Sequence, residues 1–140
     1  MYTERDDMKQ EMIVTFSGSL RVDAEYKGFT IRTDQTKSEG GDNSAPEPFS
    51  MFLASIGTCA GIYLVFFCKK RKIPYKNIKL VINKEKNKDG KTIKKFWIDI
   101  QLPTDFPEKY KNALIRSVNL CTVKKTIEAK PEFIVTTSKS

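Results

Sequence analysis

Between Met51 and Lys72 the chain reads MFLASIGTCAGIYLVFFCKKRK: uncharged as far as Cys68, then an unbroken run of cations. A run of this length meets the lower limit of about 18 residues for a membrane-spanning helix, and the basic run beyond it resembles a cytoplasmic anchor. Its first half argues otherwise. Ser55, Gly57, Thr58 and Gly61 dilute the hydrophobicity there, and the half-apolar strands around the run need a covering element that no other segment is long enough to supply. The expected element is a buried central helix over Phe49 to Arg71, started at Pro48, ended by Pro74 and carrying its cations where they suit the dipole. Ala54, Gly57, Ala60 and Gly61 would let a sheet or second helix approach closely.

Outward from this helix the pattern is mostly period two. Met12 to Phe16 and Leu20-Val22-Ala24-Tyr26 read as a strand pair turning near Ser17 to Ser19, with Phe29-Ile31-Thr33 as a third strand beyond Lys27-Gly28. A Gly, Ser, Asn and Pro-rich loop over 34–48 leads to the helix. Past Pro74, Ile78, Leu80 and Ile82 pair through an NKDGK turn with Phe96, Ile98, Ile100 and Leu102. Pro107 starts a second helix whose apolar positions, Tyr110, Ala113, Leu114, Val118 and Cys121, put Cys121 at its C-terminal end. VKKTIEA reads as a short turn, and EFIVTT as a closing strand. The expected architecture is a single α+β domain over residues 1–140, of order βββ-α-ββ-α-β, with a long helix on antiparallel sheet.

The chain has 140 residues, 39% of them hydrophobic and 30% charged, with a net charge of +8, and no histidine. Histidine-based triads, general acids and HExxH zinc sites are thereby excluded. Cys59, Cys68 and Cys121 form no CxxC pair and leave a zinc site short of ligands, so no metal is expected. The cations are dispersed apart from Lys69 to Lys72, and no nucleic-acid motif is present, so a nucleic-acid partner is not expected. The N-terminal MYTERDDMKQ lacks the apolar core of a signal peptide, and the expected setting is a reducing cytoplasm. At about 100° per residue Cys59 and Cys68 point to opposite sides of the helix, roughly 13 Å apart along it. Any partner of Cys59 within the chain is therefore Cys121; spacing alone favours reading both as small buried hydrophobes, as free cysteines usually are.

PFSMFLASIGTC, with its P-x(10)-C spacing, the helix behind it, LCTVKKTI after the hairpin, FSGSL near the start and GGDNSAPEP before the helix together resemble the OsmC/Ohr superfamily, the osmotically inducible and organic hydroperoxide resistance proteins. The likeness covers nearly all of the chain after its first ten residues, and is nearest to the OsmC-like branch. It implies an intertwined homodimer with sites at the subunit interface, and thiol peroxidase activity on organic hydroperoxides in oxidative and osmotic stress defence. Cys59 would be the peroxidatic and Cys121 the resolving cysteine, recycled by an external dithiol such as a lipoylated protein, while Cys68 stays as helix packing. In the peroxidase branches a glutamate follows the helix-starting proline and positions an arginine. Phe49 holds that position here, which leaves Glu47 as the candidate carboxylate and Arg21, ahead of Arg32, as the candidate arginine. Thr122 stands where a proline commonly follows the second cysteine. Phe49 and Phe52 would line the substrate site and favour alkyl or aryl peroxides. The alternative is a non-catalytic member that binds a small apolar or thiol-bearing ligand at the same interface.

Overall fold

A computed structural model describes residues 11–139. The charged N-terminal stretch MYTERDDMKQ lies outside them. The chain divides into two compact units, 1–52 and 53–140. The first holds three antiparallel strands, β1 (Ile13–Gly18), β2 (Arg21–Tyr26) and β3 (Phe29–Thr33), in the order β1-β2-β3. Ala24 sits opposite Val14 on one side and Ile31 on the other, so the alternating apolar residues of the three strands share a face. Among the described residues, no hydrophobic side chain of this unit is fully buried; Phe16 is 80% exposed.

The loop after β3 is organised around a buried acid. Asp34 is fully enclosed. Its carboxylate accepts from the Gln35 N–H at 2.7 Å, the Ser44 N–H at 3.0 Å and the Ser44 hydroxyl at 2.6 Å. These bonds hold its carboxyl at about 2, below the usual carboxylate value, with the Ser44 hydroxyl contributing most. Gly41 has to be glycine, because a side chain there would collide with the Gln35 carbonyl.

Helix α1 (Pro48–Lys70) begins at the proline expected to start it. Its stop precedes Pro74. Lys72 adopts a left-handed conformation, the Ile73 N–H reaches the Cys68 carbonyl at 2.9 Å, and the Lys72 N–H reaches that of Lys69 at 3.2 Å. This pair of bonds is a Schellman stop with a lysine where glycine is usual. By length and composition α1 could cross a bilayer, with a mean hydropathy of 2.0. Its role in the second unit is that of a core helix: Ala60, Leu64, Phe67 and Cys68 are buried with Ile73, Phe106, Leu114 and Val118.

Two strands, β4 (Lys79–Lys86) and β5 (Ile93–Gln101), form an antiparallel hairpin that aligns Leu80 with Ile100 and Ile82 with Ile98. Leu80, Ile98 and Ile100 pack on the same core. Gly57 permits the approach of α1 to the hairpin, since a Cβ there would lie 2.7 Å from the tip of Ile82. The basic run closing α1 is partly packing: the Arg71 guanidinium stacks 3.7 Å from the Phe67 ring centre and donates to the Phe67 carbonyl.

Beyond the hairpin the chain departs from the expected order. Pro107 precedes a single 3-10 turn, Glu108–Tyr110, and α2 (Lys111–Val118) ends before Cys121, which instead caps a further helix, α3 (Thr122–Glu128). The short turn expected at VKKTIEA is that helix. Helical periodicity carried the sequence reading across Asn119 and Leu120, where the backbone turns and Cys121 leaves the helical conformation. The closing strand EFIVTT is not formed among the described residues: Phe133, Ile134 and Val135 are 88%, 77% and 93% exposed. A strand needs a hydrogen-bonded neighbour, and none pairs with this segment. The α+β class, the antiparallel sheets and the long central helix stand as expected.

Candidate active site

Cys59 lies mid-way along α1, half-buried, between the buried Ile56 and Ala60. Cys121 is 1% exposed and arrives from the turn between α2 and α3. Its sulfur accepts from the Lys124 N–H at 3.5 Å and so caps α3. The two elements are tied beside the cysteines. The Tyr63 hydroxyl lies 3.0 Å from that of Thr122, and the Ser117 hydroxyl donates to the Tyr63 carbonyl at 3.3 Å.

Burial is the largest single influence on Cys59 and opposes its ionisation. It is outweighed by hydrogen bonds from the Val123 N–H, the Cys121 thiol and the Thr122 N–H, which together hold the Cys59 thiol below its ordinary value. Cys121 goes the other way. Burial pushes it up; the Lys124 and Val123 N–H groups oppose the rise, the neighbouring Cys59 sulfur adds to it, and the thiol stays above its ordinary value. The two thiols therefore lie against each other, with Cys59 the more acidic of the pair. All three cysteines are unbridged. Cys68 is fully buried, and burial raises its thiol despite the charge of Arg71 nearby.

The other residues singled out in the sequence belong to the first unit. The Arg21 guanidinium pairs with Asp42 at 2.9 Å, and Arg21, Arg32, Ser17, Asp23 and Ser44 line a polar cavity of about 340 Å³. Glu47 is half-buried just ahead of Pro48, and its carbonyl accepts from the Met51 N–H at 3.2 Å. The Phe49 and Phe52 rings lie 5.6 Å apart, tilted by 44°. So Cys59 is brought to Cys121, Phe49 to Phe52, and Arg21 to a carboxylate, Asp42, that sequence reasoning did not consider. The Thr122 and Val123 N–H groups were missed too. A signal for one of them was present: threonine after the second cysteine keeps an N–H that proline lacks.

The fold and the cysteine pair define a class of protein: an α+β thiol protein with one acidified cysteine on a long core helix and a second thiol against it. The chain belongs to the OsmC-like protein family, whose model matches residues 41–136. Solved structures agree on the fold. An osmotic stress induced and detoxification response protein from Psychrobacter arcticus is similar with a TM-score of 0.69 at 20% identity, covering 82% of this chain and 85% of that one. The OsmC-like protein from Mycoplasma pneumoniae has a TM-score of 0.68 at 12% identity, with 86% and 88% covered. The organic hydroperoxide resistance protein OsmC from Legionella pneumophila gives 0.54 at 15% identity, with 84% and 88% covered. No curated protein sequence matches the chain.

Proposed function

We propose that the protein reduces organic hydroperoxides to alcohols through Cys59 and Cys121. The observation that carries this reading is the opposed pair of thiols: Cys59 below its ordinary ionisation range, Cys121 above it, and the second donating to the first. The Cys59 thiolate attacks the distal peroxide oxygen and the O–O bond breaks. The alkoxide takes a proton and leaves as the alcohol, while the cysteine is oxidised to a sulfenic acid. Cys121, losing its proton, attacks that sulfur; a disulfide forms and the sulfenic oxygen leaves as water. An external dithiol, such as a lipoylated protein, gives up two electrons and two protons to restore both thiols.

Arg21 would supply a cation and Glu47 a carboxylate, and Phe49 and Phe52 an apolar lining suited to alkyl or aryl peroxides; these roles follow the family resemblance. The working unit in this reading is a homodimer in a reducing cytoplasm. Exposed apolar residues support it: Phe16 on β1, Phe66 on α1 and Phe133 to Val135 in the C-terminal segment are each more than half exposed. A sedimentation mass near the 16.0 kDa of one chain would remove the dimer from the proposal.

Steady-state consumption of cumene hydroperoxide with dihydrolipoamide tests the activity. Turnover is expected to exceed that on hydrogen peroxide and to vanish in Cys59→Ser, with Cys121→Ser stalling after one equivalent. Turnover that survives Cys59→Ser would refute the proposal. A second reading, non-catalytic binding of a small apolar or thiol-bearing ligand, is favoured by Phe49 standing where peroxidases carry glutamate. It requires that the wild type consume no peroxide.

A further inference from the structure

Seven lysines fall between Lys79 and Gln101 against three acids, Glu85, Asp89 and Asp99, and no arginine is among them. Read along the chain they are dispersed. Pairing of β4 with β5 folds them back on one another, setting Lys84 opposite Phe96, Glu85 opposite Lys95 and Lys86 opposite Ile93. This end of the hairpin runs past Leu80, Ile98 and Ile100, the residues that pack on the core, and every residue from Asn83 to Thr92 is exposed. Its turn is nonetheless fixed. The Asp89 carboxylate accepts from the Lys91 N–H at 2.8 Å, the Thr92 N–H at 3.0 Å and the Thr92 hydroxyl at 2.8 Å. One of the three acids is thereby engaged in holding the turn, whereas none of Lys86, Lys88, Lys91 and Lys94 makes an ion pair among the described residues. Lys86, Lys88 and Lys94 border a cleft of about 530 Å³ there, with Glu85 and Asp89 on its wall. Strand alternation puts Trp97, the chain's one tryptophan, on the face opposite the core. It is 47% exposed, and the Lys95 ammonium lies 5.2 Å from its ring centre.

We propose that this hairpin is a binding surface for single-stranded nucleic acid, its lysines meeting phosphates and Trp97 taking a base on its ring. The inference stands apart from the peroxidase reading and does not rest on it. An exposed ring set among unpaired ammonium groups fits a ligand that alternates negative charge with flat aromatic groups, and a single strand is such a ligand. A membrane surface calls for a broad apolar face, but Trp97 is the one large hydrophobic residue exposed on the hairpin. Stacking also needs an unpaired base, which favours a single strand over a duplex. Lysines without an arginine act as point charges and leave out the bidentate contact that reads guanine, so the binding is independent of sequence.

The test is fluorescence anisotropy of a labelled oligothymidylate of about twenty nucleotides titrated with the full reduced chain, read together with the emission of Trp97. Binding in the micromolar range at about 50 mM KCl is expected, with Trp97 quenched at the same midpoint. If about four lysines meet phosphates, the dissociation constant should rise about fifty-fold between roughly 50 and 200 mM KCl. Lys88→Gln, Lys91→Gln and Lys94→Gln combined should flatten that rise to about three-fold. Trp97→Ala should bind about ten-fold more weakly, and Trp97→Phe should recover most of the loss. All four positions are exposed, so the circular dichroism of each variant should match the wild type's. No binding at low salt, or binding indifferent to salt, overturns the proposal. A triple variant with the wild-type salt dependence, or a Trp97→Ala variant that binds as tightly as the wild type, overturns the hairpin as the surface. Polyglutamate or phosphatidylglycerol vesicles that displace the oligonucleotide at equal charge and quench Trp97 to the same extent would overturn the assignment to nucleic acid in favour of an acidic protein or a membrane.

Discussion

Asp34 illustrates what a single residue contributes away from the cysteines. A fully buried carboxylate is costly unless its charge is met, and here two N–H groups and a hydroxyl from the same loop meet it. Its folded value, about 2, lies below the unfolded one. The stabilisation from its ionised form is therefore fully present above roughly pH 4, and is lost as pH falls toward 2. Asp34→Asn should lower the urea midpoint at pH 7 and flatten its decline between pH 4 and 2, as followed by circular dichroism. A decline as steep as the wild type's would mean that other groups cause it. At the same scale, the surroundings of Cys59 were legible only in part. Resemblance singled out Cys59 and Cys121, but the donors to Cys59 are backbone N–H groups, which no residue type announces. The partner of Arg21, Asp42, is brought to it by the path of the loop rather than by any local pattern.

Among the elements, α1 was the most legible because its small and large residues divide along its length. The small half meets the hairpin. Gly57 faces the tip of Ile82 so closely that a longer side chain must push that side chain aside. Gly57→Leu is expected to cost about 1–3 kcal/mol in chemical denaturation, the range for overpacking a filled interior. A cost below about 0.5 kcal/mol would show that the Ile82 side chain gives way without loss of packing. The hairpins were readable from period two and their turn residues. Two features were not. Helical spacing continues numerically from Val118 to Cys121, and only the backbone turn at Asn119 and Leu120 shows that Cys121 begins α3 rather than ending α2. EFIVTT has the alternation of a strand, but alternation specifies which face is apolar and not whether a neighbouring strand exists.

For the whole molecule, the second unit carries a buried core and the cysteine pair, whereas the first carries a sheet whose apolar residues stay partly open. Family membership accounts for the architecture, and the pair of thiols is where the proposed chemistry would take place. The central claim is that peroxide oxidises Cys59 and that Cys121 captures the product. The most direct measurement adds one equivalent of cumene hydroperoxide to fully reduced protein, quenches with an alkylating agent within seconds, and maps disulfides by mass spectrometry. A bridge between Cys59 and Cys121, absent in Cys59→Ser and leaving Cys68 a free thiol, is the expected result; thiols that all stay free over many minutes, or a bridge through Cys68, would contradict it.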